Sequence, residues 1–224
     1  VARYMVGTID LSIIYTPSTF KNPRSMDSYP HLKAHLDKFR DVISSDNKPY
    51  GLHRSRVESF FVGEKIVALR KCAGRPVFAY ANGQNYMSAT FYVIKTNRVN
   101  MKYLTGLLNS KLIEFWLKNK GKMQGANYQL DKEPLQQIPI VVPSIKMQEA
   151  IIRIVDYILA IKSMPSKIIV DQYVDNDVIS RQFENVIDAL VYELYFSDEF
   201  IQAEISFVDS VLRDFHLISD NTEN

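Results

Sequence analysis

Cysteine is almost absent: the 224 residues hold one, Cys72. A lone cysteine excludes an internal disulfide framework and fits a reducing compartment, so a cytoplasmic location is expected. No run of about 18 apolar residues occurs, so no transmembrane helix and no membrane partner are expected. Glycine is sparse, at eight residues. Neither G-x-x-x-x-G-K-[ST] nor G-x-G-x-x-G is present, which removes the two common phosphate cradles. No glutamate has a lysine two positions later, so the Glu-x-Lys half of a Mg²⁺-dependent nuclease site is missing. His31 and His35 stand at i, i+4, a spacing that can hold a metal, but no Glu follows His31 and no third ligand is evident. Cys72 has no identifiable base and reads as a small buried hydrophobe. The opening residues, VARYMVGTID, include no initiator Met at position 1 and none of the three regions of a signal peptide. The sequence therefore reads as part of a longer chain. Together these absences favour a binding module over an enzyme, with no metal or cofactor of its own.

What is there begins with charge. The formal net charge is +2, yet it is divided sharply. Residues 1–170 carry 25 Lys and Arg against 12 Asp and Glu, while residues 171–224 carry 2 against 13. A basic body implies a polyanionic partner; the plainer reading is solvated surface charge. The acidic end reads as a solvated helical face, as a guard that keeps the chain end off a nucleic acid, or as a contact for a basic domain.

Hydrophobic periodicity predicts an α+β fold: a mixed or antiparallel sheet body with packed helices, then a helical C-terminal part. Strands are expected over 3–16, 66–70, 77–81 and 87–95, with AGRP and ANGQN as turns between the later ones. A helix over about 30–44 follows Ser28 as cap and Pro30 in its first turn. Asn100 should cap one helix that ends at Gly121, with Leu104, Leu107, Leu108, Leu112, Phe115 and Trp116 inward. IPIVVP at 138–143 reads as a short buried strand. Ser144 should cap a helix to about Ser163, and further helices are expected over about 176–196 and 198–214. The expected division is a recognition body over 1–143, a long connecting helix over 144–170 and an acidic helical segment over 171–224.

Four polar segments have the chemistry of nucleic-acid contacts, in which Lys and Arg meet phosphates and Arg, Lys, Asn and Gln meet base edges. HRSR places Arg54 and Arg56 on one face of an extended chain. RKCAGRP offers Arg70, Lys71 and Arg75 around a turn. KNKGKMQGANYQ offers Lys118, Lys120 and Lys122 for backbone, Gln124, Asn127 and Gln129 for base edges, and Tyr128 to stack or wedge. ANGQNY offers Asn82, Gln84, Asn85 and Tyr86. Each alone reads as a solvated polar loop; jointly, on a basic body, they favour nucleic acid. Asn47-Lys48-Pro49-Tyr50 is close to the Asn-Pro-Pro-Tyr type loop that holds a flipped adenine, but it reads better as an ordinary proline turn.

Six segments in order resemble the TaqI-like C-terminal specificity domain of adenine DNA methyltransferases and fused restriction–modification enzymes. They are SYPHLKAHLDKF, YGLHRSR, FFVGEKIVALRKCAGRPVFAY, YLTGLLNSKLIEFWLK, LQQIPIVVPSIKMQEAIIRIVDYIL and VIDALVYELYFSDEF. Tyr50 stands where that family often has tryptophan. The resemblance implies a target recognition domain with double-stranded DNA as partner. It implies a methyltransferase domain, with or without a nuclease domain, in the same parent chain. S-adenosylmethionine, and Mg²⁺ if the parent cleaves, are then expected there and not in these residues, which are expected to be monomeric and inactive alone. Three other readings stay open: a protein docking domain, an RNA-binding module and a cryptic nuclease.

Overall fold

The computed structural model describes residues 1–7, 11–43, 50–52, 55–165, 167–169 and 172–218, with backbone alone at 167–169 and 172–174. The chain forms two compact units, one of Thr8–Val62 and one of Val1–Gly7 with Gly63–Asn224. In chain order the elements are β1 (Tyr4–Met5), α1 (Pro30–Asp37), β2 (Lys65–Leu69), β3 (Lys71–Ala73), β4 (Phe78–Ala81) and β5 (Phe91–Ile94). Then come α2 (Met101–Leu108), α3 (Lys111–Lys120), β6 (Lys122–Gln124), β7 (Asn127–Gln129) and α4 (Lys132–Gln136). The C-terminal elements are α5 (Ile145–Ser163), β8 (Lys167–Ile169), β9 (Gln172–Val174), α6 (Asn176–Tyr195), α7 (Ser197–Gln202) and α8 (Phe207–Asp214). The α+β class is as expected.

The larger unit is built on a mixed four-stranded sheet in the order β1-β4-β2-β5, with β1 parallel to β4 and the other pairs antiparallel. Ile66, Val67 and Ala68 are all fully buried, so both faces of β2 are covered. Ile66, Ala68 and Phe78 belong to the main core, while Val67, Ala79 and Ala81 pack on the other face against Val6, Met87 and Phe91. The helices α2, α5, α6 and α8 pack on the main-core side. Burying Ile151, Ile154, Val155 and Ile158 of α5 contributes on the order of 2 kcal/mol per side chain. Gly106 lets α2 approach α5 closely: a Cβ there would lie 2.8 Å from Ile151 Cγ2 and 3.1 Å from Val155 Cγ2.

Several expected elements are corrected. The helix expected from Asn100 to Gly121 is two helices. Asn100 caps α2 as expected, accepting from the N–H groups of Lys102 and Tyr103, but Ser110 starts α3 by accepting from Ile113 N–H. The break has a physical cause in Asn109, a buried amide that donates to the Phe78 and Thr105 carbonyls and accepts from Phe78 N–H. It also resets the phase, so Ile113 and Leu117 face the core and Phe115 is 66% exposed. Residues 138–143 are not a strand, because Pro139 and Pro143 cannot donate to a ladder. Instead the Tyr103 hydroxyl donates to Val141 O at 2.7 Å and the Tyr195 hydroxyl to Pro139 O. The last helix divides at Glu204, which has φ 55°. Ser206 then caps α8, and the Glu193 carboxylate accepts from the N–H groups of Phe207 and Val208. The ANGQN turn does not join neighbouring strands, since β2 lies between β4 and β5. Of the strand expected over 3–16, Tyr4–Met5 is paired, and Leu11, Ile13 and Ile14 are solvent-exposed. The long helices α5 and α6 match expectation, capped by Ser144 and Asp175.

The smaller unit is mostly turns and loops around Met26, Tyr50 and Phe61, all buried. Thr16 Oγ1 donates to Tyr50 O at 2.6 Å, and the Tyr50 hydroxyl donates to Asp37 Oδ1 at 2.7 Å. Its helix α1 ends at Asp37, short of the expected residue 44, and Tyr29 stands at its N-cap without a side-chain bond, in place of Ser28. No residue of α1 is fully buried, so nothing in the core extends it further. Asn47, Lys48 and Pro49 lie outside the described residues.

Candidate nucleic-acid interface

The KNKGKMQGANYQ segment is not a loop but the end of α3 followed by a β-hairpin. Lys122-Met123-Gln124 and Asn127-Tyr128-Gln129 alternate polar, apolar, polar, and two residues separate them. That is the hairpin pattern. Gly125 opens the turn at φ +62°, a left-handed conformation that glycine adopts at no steric cost. The β7 strand then pairs on its other edge with β3, giving a second sheet in the order β3-β7-β6. A single residue, Arg70, separates β2 from β3, so the second sheet grows directly out of the first.

Register sorts the side chains. Cys72, Tyr128 and Met123 stand in one row and face inward; Cys72 and Tyr128 are 3% and 4% exposed. The outer face holds Lys71, Gln129 and Lys122 in one row and Ala73, Asn127 and Gln124 in the next. Lys71, Lys122, Gln124 and Asn127 are exposed and Gln129 is half-buried. A duplex major groove, about 12 Å wide, admits a two-stranded β-ribbon, the size of the β6-β7 hairpin.

A hydrogen-bond chain crosses this face. Gln124 Nε2 donates to Gln129 Oε1 at 2.8 Å, and Gln129 Nε2 donates to Asp131 Oδ1 at 3.1 Å. Lys122 Nζ lies 3.5 Å from the other Asp131 oxygen. The Gln129 hydrogen bond, aided by Lys122 and Arg70, holds the Asp131 carboxyl below the usual carboxylate range. Beside the chain, Arg70, Lys71, Thr90 and Gln129 line a cleft of about 500 Å³. The Arg70 guanidinium sits 5.0 Å from the Tyr92 ring centroid and donates to Ala89 O at 3.3 Å. No acid pairs with Lys71, Lys118 or Lys120 among the described residues. Lys118 and Lys120 are exposed in the last turn of α3, where the helix dipole favours cations.

The other expected residues fall elsewhere. Tyr128 is turned into the core and offers no face for stacking; burial raises its phenol pKa. Arg75 is taken up by two acids, Glu114 at 2.6 Å and Glu184 at 3.1 Å. Glu184 also receives Arg3 at 3.0 Å, and Asp188 receives Lys111 Nζ at 3.0 Å and the Lys111 N–H at 2.7 Å. Thus two acids of the acidic segment, both nearly buried, neutralise cations of the basic body. Asn82 and Gln84 are exposed at the other end of β2, since Ala81 pairs with Lys65 while Lys71 follows Leu69. Lys65 Nζ anchors that turn by donating to Gly83 O at 2.7 Å. Arg56 is exposed in the smaller unit, and Arg54 lies outside the described residues. Asp131 and Thr90 were not among the expected site residues. An acid two positions after Gln129 was the available signal for Asp131; no local pattern pointed to Thr90.

Among the described residues no set of three or more His, Cys, Asp or Glu is gathered to hold a metal. His35 packs against Phe39, ring centroids 5.3 Å apart. No helix among the described residues is long and apolar enough to cross a membrane.

Comparison with known proteins bears on the chain's family. The chain is 23% identical over 208 residues to a protein of Methanocaldococcus jannaschii described as a putative type II restriction enzyme and methyltransferase, matching 88% of this chain and 17% of that one. Its fold resembles that of the Type IIL restriction-modification enzyme MmeI, solved in complex with DNA. The TM-score is 0.55 at 15% identity, over 86% of this chain and 28% of that one. The chain therefore spans well under a third of either relative. The model of the TaqI-like C-terminal specificity domain matches residues 16–140, more than half of the chain, and the chain belongs to that family.

Proposed function

We propose that this chain is a sequence-specific double-stranded DNA recognition module. It directs an adenine methyltransferase domain of the same parent chain, and a nuclease domain where the parent has one, to a target site. The observation that carries the reading is the outer face of β3-β7-β6, where Lys71, Lys122, Gln124, Asn127 and Gln129 stand in register over a buried inner row. Cations beside amides are what phosphate positioning plus base reading require. Family membership and the kinds of enzyme named among the relatives support the same reading. In it the recognition surface lies within residues 1–143, residues 144–170 connect, and the acidic segment from 171 onward braces the body. The module holds no cofactor and performs no chemistry; S-adenosylmethionine binds elsewhere in the parent. It acts as a monomer in the cytoplasm.

Fluorescence anisotropy with a labelled duplex, titrated across salt and challenged with single-stranded RNA, tests this. Duplex preference with a steep salt dependence, about −0.9 in log–log slope per phosphate contacted, is expected. No duplex binding at low salt overturns autonomous recognition. Docking to the catalytic domain would then be the better assignment, a reading that the exposed Val142 before α5 and Ile145 at its start favour, at 76% and 83% exposure.

A further inference from the structure

The chain of hydrogen bonds on the outer face has a direction. An ionised carboxylate only accepts, so the Gln129 group that meets Asp131 must be its NH₂. Gln129 Oε1 is thereby turned toward Gln124, and the Gln124 group that meets it must again be an NH₂. One acid thus fixes the orientation of two amides that would otherwise be free to flip. Gln124 is left with an unused carbonyl oxygen and one unused N–H, on an exposed side chain beside the hairpin turn. An acceptor next to a donor is the complement of one base edge in the major groove, adenine, whose N6–H₂ donates and whose N7 accepts. Guanine presents two acceptors there, and the carbonyl would meet one of them.

We propose that Gln124 reads an adenine in the target, and that Asp131 is the positioning residue that makes it select adenine over guanine. This rests on the DNA-recognition reading above. Asp131 touches no base in this arrangement; it acts through Gln129. Its neutral isostere has a different logic. Asparagine both donates and accepts, so Asp131→Asn lets the Gln129 amide turn over. Gln124 then accepts from Gln129 and presents both N–H groups, the complement of guanine.

The test is selection from a random duplex pool by the wild-type chain and three variants, with the enriched sites sequenced and thermal melts as folding controls. The wild type should enrich a site in which Gln124→Ala relaxes one position, and that position should be adenine. Asp131→Asn should lower the adenine-to-guanine ratio there by about tenfold, within the range that a bidentate contact discriminates. Other positions should be unchanged, and Asp131→Glu should keep the wild-type preference. A Gln124-dependent position that is not adenine overturns the proposal. So does an Asp131→Asn profile that matches wild type, even if overall affinity falls, because that marks Asp131 as merely structural. Both results leave duplex recognition standing. Failure of the wild type to enrich any sequence overturns duplex recognition itself, and this inference with it.

Discussion

The four-stranded and three-stranded sheets of the larger unit are joined through a single residue, Arg70, and differ in almost every other respect. In β2 three consecutive residues, Ile66, Val67 and Ala68, are completely buried. In β3, β6 and β7 burial alternates, with Cys72, Met123 and Tyr128 in and their neighbours out. A strand covered on both faces has no position free to vary without a packing cost. A strand covered on one face has every second position free. The first sheet is therefore a fixed frame, and the second is a surface whose residues can be exchanged with little effect on folding.

That contrast can be broken at graded strength. Phe78→Ala, on the frame, should cost about 4 kcal/mol of unfolding free energy in a urea titration, the usual toll of emptying a fully buried aromatic site. Tyr128→Ala should cost about 3 kcal/mol, somewhat less because its sheet is thin and half open. Glu184→Ala should cost about 2 kcal/mol, since it leaves the Arg3 and Arg75 guanidiniums without their shared carboxylate in a partly exposed site. Thermal melts at two salt concentrations would check it, the loss shrinking as salt rises. At the small end, Lys71→Ala should change stability by no more than about 0.5 kcal/mol. In anisotropy it should lower the salt slope by about 1 and leave sequence preference intact. If Tyr128→Ala proved as mild as Lys71→Ala, the inner row would not be the anchor its burial indicates.

What could be read in advance follows the range of each signal. Caps are local, so Asn100, Ser144 and the long helices α5 and α6 were legible from sequence. The break at Asn109 was not, because its cause is a bond to Phe78, 31 positions away. The candidate site divides the same way. Lys71, Lys122, Gln124, Asn127 and Gln129 had the right chemistry, but β3 meets β7 across more than fifty residues, and no local pattern announces that pairing. Arg75 and Tyr128 were legible as chemical types and not as orientations. The alternation in KMQ and NYQ shows that Tyr128 points the other way from Asn127 and Gln129. The strand period had to be applied for that to be seen.

The Glu184 carboxylate, shared by the arginine just before β1 and the one in the turn after β3, sets a limit on modular engineering. A recombinant piece ending before α6 would strand the Arg3 guanidinium without a counterion and leave Arg75 with Glu114 alone. Swapping whole recognition segments between homologous chains would therefore have to carry α6 along. Transplanting only the five outward polar side chains of the small sheet would not, and this makes that face, not the segment, the natural unit for redesigning a target.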